Sequence, residues 1–122
     1  MVSDQYGCPT FAADLARVCL AIAEACLENP SPTIWGTYHF CGCGETTWWE
    51  FASKIFELSN QYEPCCVEKV IPIPTSEYPT PAKRPENSVM DCTSLMQVFN
   101  IEPPDWETSL ANMLERLFTE KI

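Results

Sequence analysis

Lys83 and Arg84 form the sole adjacent pair of cations in a 122-residue chain whose formal net charge is −10. A guanidinium grips a phosphate or a carboxylate through two parallel hydrogen bonds, so Arg84 is a candidate anion ligand. Around it runs TSEYPTPAKRPENS, residues 75 to 88, which carries Pro79, Pro81 and Pro85 and no apolar periodicity. Proline lacks the N–H of a helix interior or a central ladder, and it restricts the unfolded chain. The segment is therefore a stiff strap that holds side chains in place at small entropic cost, as a binding wall should. Arg84 also suits an internal clamp to Glu77, Glu86 or Asp91, and the residues alone leave both roles open.

The remaining reactive residue types point less sharply. A histidine can serve as acid, base or ligand, but the setting of His39 between Tyr38 and Phe40 reads as structural. Cys41-x-Cys43 and Cys65-Cys66 lack the C-x₂₋₄-C spacing of zinc knuckles, which favours ordinary thiols over a metal site. Trp48-Trp49 could stack a base, although aromatics that open an amphipathic helix usually serve core and rim. The four glycines, at 7, 36, 42 and 44, do not make a dinucleotide-binding fingerprint. A tyrosine four residues ahead of a lysine is missing, because positions 10, 42, 66 and 82 hold Thr, Gly, Cys and Ala. With a single histidine and no nucleophile elbow, no catalytic, cofactor-binding or metal-ligating residue is expected in this chain.

Composition narrows the class of protein. Seven Lys and Arg against seventeen Asp and Glu give no basic footprint for nucleic acid. No run approaches the ~18 apolar residues of a membrane span, and Met1-Val2-Ser3-Asp4 lacks a basic lead into an apolar core. A cytoplasmic chain is expected, with its eight cysteines reduced. The length suits one domain over 1–122, burying roughly two thirds of its unfolded surface.

The elements that must position these residues follow from spacing. Val2–Asp4 is short and extended, and Gly7-Cys8-Pro9 a turn. Thr10 is expected to cap a helix over 11–28, with Phe11, Leu15, Val18, Cys19, Ile22 and Cys26 inward and Asp14, Arg17, Glu24 and Glu28 outward. Residues 36–42 alternate as a strand does. Thr47 and Glu50 form a capping box opening a helix to about Ser59, with Trp48, Phe51, Ile55 and Leu58 on its core side. Residues 66–73 suit an edge strand, 88–90 a short strand, and 92–99 a short helix ended by Asn100 in the left-handed conformation. Trp106, Leu110, Met113, Leu114 and Leu117 recur at helical spacing after Pro104-Asp105. The class is mixed α/β (α+β).

Five blocks, VSDQYGCPTFAADLA at 2–16, GTYHF at 36–40, TTWWEFA at 46–52, TSEYPTPAKRPENSVMD at 75–91 and PDW at 104–106, together closely resemble the dTDP-4-dehydrorhamnose reductase family. These enzymes are extended short-chain dehydrogenase/reductases. The resemblance implies the substrate-binding, carboxyl-terminal portion, without the Rossmann domain that carries NAD(P)H and the Tyr/Lys chemistry. It further implies a nucleotide sugar or dTDP as ligand and little catalysis by this chain alone. Asp4, Gln5, Gly7, Pro9 and Thr10 match the family's pocket-side turn, and Arg84, Pro85, Asn87 and Ser88 its proline-rich wall. On that basis Arg84 approaches the diphosphate, Asn87 and Ser88 are expected as supporting donors, and Gln5 and Thr10 as further substrate-binding residues. Ser94 stands where many relatives place a lysine. The helix at 11–28 would normally abut a Rossmann half, so a homo-oligomer or a separate Rossmann-domain chain is the expected partner. A non-enzymatic interaction or regulatory protein keeping the reductase-like fold is the alternative.

Overall fold

The capping box forms as expected. Glu50 N donates to Thr47 Oγ1 at 3.2 Å and Thr47 N donates to Glu50 Oε2 at 3.0 Å, which satisfies two orphan donors at one helix start. In the computed structural model, which describes residues 1–119 and so leaves Lys121 outside, this box opens α2, Trp48–Ser59. Ahead of α2 come β1 (Tyr6–Gly7), α1 (Ala12–Glu28) and β2 (Thr46–Thr47); after it come α3 (Thr93–Phe99) and α4 (Trp106–Thr119). Single 3₁₀ turns lie at Pro32–Ile34 and Thr75–Glu77. The mixed α/β class is as read from the sequence. Among the described residues no helix is long and apolar enough to cross a membrane.

The core follows the apolar spacing of α2 and α4. Trp106, Leu110 and Leu114 are buried, and Phe51, Ile55, Leu58 and Met113 pack on them. Phe51 meets Trp106 edge-on, 5.8 Å between centroids. Lys54 spans the outside of the pair, bonded to Glu57 at 3.0 Å and to Glu107 of α4 at 3.3 Å. Asn100 ends α3 with φ 53°, the left-handed terminator expected.

Helix α1 departs from its reading in start and phase. Thr10 does not cap it: Phe11 is the N-cap and offers no side-chain bond. Thr10 Oγ1 instead donates to the Cys8 carbonyl at 3.1 Å and accepts from Gly42 N at 3.3 Å, a tertiary partner that outcompetes the local one. Asp14, placed outward by periodicity, is buried, because Ser109 Oγ of α4 donates to its carboxylate at 2.6 Å and Arg17 pairs with it from the next turn. Rolling α1 toward that carboxylate leaves Leu15 and Cys19 exposed along with Leu20 and Leu27, the last 83% exposed.

The strands also need correction. Residues 36–42 form no ladder, and His39 is exposed. The segment is held past its end instead, where Cys43 N donates to Pro104 O at 2.8 Å and Trp106 N to Cys43 O at 3.0 Å. Of residues 66–73 only Ile73 pairs, in a parallel bridge with Val2, and at 88–90 the bridge falls one residue earlier, between Asn87 and Tyr6. Prolines at 72, 74 and 85 remove the donors a longer ladder would need. The turn expected from Gly7 is in part strand: Tyr6 pairs with Thr47 and Gly7 with Thr46, antiparallel.

Candidate functional site

Residues 1–10 lie between two remote segments. On one side β1 meets β2; on the other Tyr6 N donates to Glu86 O at 2.8 Å and Ser88 N to Tyr6 O at 2.9 Å. The end of the strap is thus added to β1 as a further extended edge. Its beginning is fixed too. Asp4 accepts from Thr75 Oγ1 at 2.6 Å and from Thr75 N at 2.9 Å, and Gln5 Nε2 donates to Thr75 Oγ1 at 3.0 Å. The Thr75 hydroxyl, and then its amide, hold the Asp4 carboxyl below the usual carboxylate range. The strap closes in at Gly7, where a Cβ would stand 2.9 Å from Ser88 Oγ and would turn that hydroxyl aside.

Between β1, β2, the start of α2 and the strap opens a cleft of about 1160 Å³. Gln5, Thr10, Arg84 and Ser88 line it together, although they come from opposite ends of the chain. Arg84 is exposed and, among the described residues, makes no ion pair with Glu77, Glu86 or Asp91. The internal clamp therefore does not form. Asp91 is bonded to Thr93 N at 2.8 Å, and the Thr93 hydroxyl and amide lower its carboxyl below the ordinary value.

Ser88 Oγ donates to Tyr6 O at 3.0 Å, so toward a ligand it offers lone pairs. Asn87 is not brought into the cleft wall; its Oδ1 accepts from Val89 N at 2.8 Å and shapes the strap. Pro9 and Pro85 line the cleft as rigid apolar surface. Sequence reasoning passed over Tyr6 and Tyr78, which also face it, and placed Trp48 on the core side of α2, whereas its ring is exposed and lines the cleft. The missing signal was the pairing of 6 with 47 and of 6 with 87, which no local pattern encodes.

The Gly42-Cys43-Gly44 turn does not suit a dinucleotide. A Cβ on Gly42 would meet the Pro9 carbonyl at 2.3 Å, and one on Gly44, whose φ is 89°, the Trp106 ring at 3.0 Å. Both glycines admit protein atoms rather than phosphates. The cysteines are free thiols; Cys41 and Cys92 are buried with their sulfurs 3.7 Å apart, and burial pushes both thiols up. Among the described residues no group of three His, Cys, Asp or Glu side chains is placed to hold a metal ion.

Comparison with known proteins bears on this cleft. A family model described as "RmlD substrate binding domain" matches residues 1–119. Curated relatives include dTDP-4-dehydrorhamnose reductases of Sinorhizobium fredii and of Escherichia coli K12, each 38% identical over 120 residues. Those matches take in 98% of this chain and 40% of the relative, so the chain spans about two fifths of their length. A solved dTDP-4-dehydrorhamnose reductase from Clostridium acetobutylicum superposes with TM-score 0.79 at 33% identity, over 96% of this chain and 38% of that one. One from Bacillus anthracis, solved with NADP, gives 0.74 at 32% identity, over 98% and 37%.

Proposed function

The chain belongs to the RmlD substrate binding domain family, and from that premise we propose that it is a nucleotide-sugar-binding module of dTDP-4-dehydrorhamnose reductase type. Its 122 residues act as one cytoplasmic unit that holds the nucleotide sugar, while hydride from NAD(P)H is delivered by a separate Rossmann portion. One observation carries the reading: Arg84 stands in the wall of a cleft, unpaired by any carboxylate among the described residues. In a chain with net charge −10, a cation held on a proline-braced strap has its charge available for an anion that enters. A diphosphate suits it, since two phosphate oxygens match the guanidinium fork. Gln5 gives one amide hydrogen to Thr75 and keeps a second for a ligand.

Isothermal titration with dTDP and dTDP-rhamnose tests this. Charge-assisted bonds are each worth about 1.5–3 kcal/mol, so Arg84→Ala should weaken binding by about ten- to a hundredfold. Absence of heat at millimolar ligand would reject the proposal. A second reading, a non-enzymatic interaction protein, is favoured by the uncovered apolar side of α1. Capture of one protein partner that Arg84→Ala leaves unchanged, without nucleotide binding, would select it.

A further inference from the structure

Four aromatic side chains line the Arg84 cleft: Tyr6, Trp48, Phe51 and Tyr78. Phe51 is already engaged edge-on with Trp106, whereas Tyr6, Trp48 and Tyr78 take no part in the ring contacts seen among the described residues, which otherwise join Tyr38 to Phe99 and Tyr62 to Phe118. Trp48 is 54% exposed and Tyr78 59%. Large rings are normally spent on burial, and three left open around one cation mark the cleft as apolar-walled with a single charged point.

The backbone that carries Trp48 is fixed although the side chain is exposed. The residue follows Thr47, which is buried and paired across the strands with Tyr6, so Trp48 and Tyr6 leave the backbone from a shared register. The Thr47–Glu50 capping box sets the backbone on its other side. Consecutive helical residues point about 100° apart. Trp49 accordingly leaves the cleft and donates its Nε1 to Val70 O at 2.8 Å, anchoring the helix start while Trp48 lines the opening.

We propose that Trp48 is the platform on which the base of the nucleotide sugar stacks, with Tyr6 beside it, while Arg84 takes the diphosphate. The assignment rests on the nucleotide-sugar reading above and adds the residue that recognises the nucleoside end. A ring presented from a fixed backbone needs little main-chain ordering on binding, and loss of a stacking ring costs about five- to a hundredfold in affinity.

The test titrates dTDP, thymidine and inorganic pyrophosphate into the whole chain and its Trp48→Ala, Trp48→Phe and Arg84→Ala variants, by calorimetry and tryptophan fluorescence. Trp48→Ala is expected to weaken dTDP at least fivefold and leave pyrophosphate unchanged. Trp48→Phe should bind dTDP within a few-fold of the parent yet lose the quenching that dTDP causes in it. Arg84→Ala should weaken dTDP and pyrophosphate together. If the parent binds dTDP and Trp48→Ala binds it equally, the platform is overturned and the nucleotide-sugar reading stands. If the parent binds dTDP no tighter than pyrophosphate, the platform is likewise overturned. If it binds none of the three, both readings fall. Should Trp48→Ala not fold, the Trp48→Phe pair of measurements decides, because unchanged quenching there places the base elsewhere.

Discussion

Asp4 is the residue on which the geometry of the strap turns. Its carboxylate takes both donors of Thr75, seventy-one residues away, and Thr75 in turn orients Gln5. A folded-state pKa lowered from 3.8 means that this tie is fully present above that value and is lost as pH falls through the lower, folded one. Asp4→Asn keeps an oxygen for the amide and loses the charge. At neutral pH it should speed hydrogen exchange at Thr75 N, and it should abolish the acid-induced loosening expected of the parent below pH about 3.8. Equal exchange in both proteins would show that the strap is held by its prolines alone. Arg84 was legible as an anion ligand from residue type; that it escapes Glu77, Glu86 and Asp91 was not, because those side chains lie within reach in sequence and only the folded path of the strap separates them.

At the scale of the element, α2 is the helix that links core to cleft. Its Phe51 and Ile55 pack on α4, its capping residue pairs with β1, and its first residue opens on the cleft. Thr47→Ala removes the acceptor of Glu50 N at a buried position and should destabilise by about 1 kcal/mol, read as a lower urea midpoint at unchanged slope. The Glu50 carboxyl is lowered chiefly by the Thr47 amide and then by the Thr46 and Thr47 hydroxyls. Its contribution is therefore present above 4.5 and disappears as pH falls through the lower folded value, a step Glu50→Gln should remove. A parent whose midpoint does not move between pH 5 and 3 would contradict the box. This capping box was readable because both partners lie within one turn. The phase of α1 was not, because burial of Asp14 depends on Ser109, ninety-five residues on.

For the whole molecule, the uncovered side of α1 is the outstanding feature. Leu20 and Leu27 are two turns apart on one face, and Leu15 is also exposed. We propose that this face is covered in solution by a second copy or by a separate Rossmann-domain chain. Light scattering of the isolated chain should give a mass above one 13.8 kDa protomer at micromolar concentration, and Leu20→Asp with Leu27→Asp should return it to monomer. A monodisperse monomer of the parent throughout that range would overturn self-association, leaving the separate chain to be sought by co-purification.

What the sequence determined by itself is local: α2 and its capping box, the Asn100 terminator, the inward face of α4, and a stiff charged strap at 75–88 that cannot be helix or central strand. Each depends on residues within four or five positions of one another, where side-chain type acts directly on the neighbouring backbone. Only the tertiary structure decided which side of α1 is covered, that Thr10 serves Gly42 rather than a helix end, and that residues 5–10, 46–48, 84, 85 and 88 surround one cleft. The first two come from side-chain bonds between distant residues, Ser109 to Asp14 and Gly42 to Thr10, and the cleft from backbone bonds such as Ser88 N to Tyr6 O, across eighty-two positions. A backbone N–H and C=O are the same in nearly every residue, so such a pairing leaves little trace in the letters that make it.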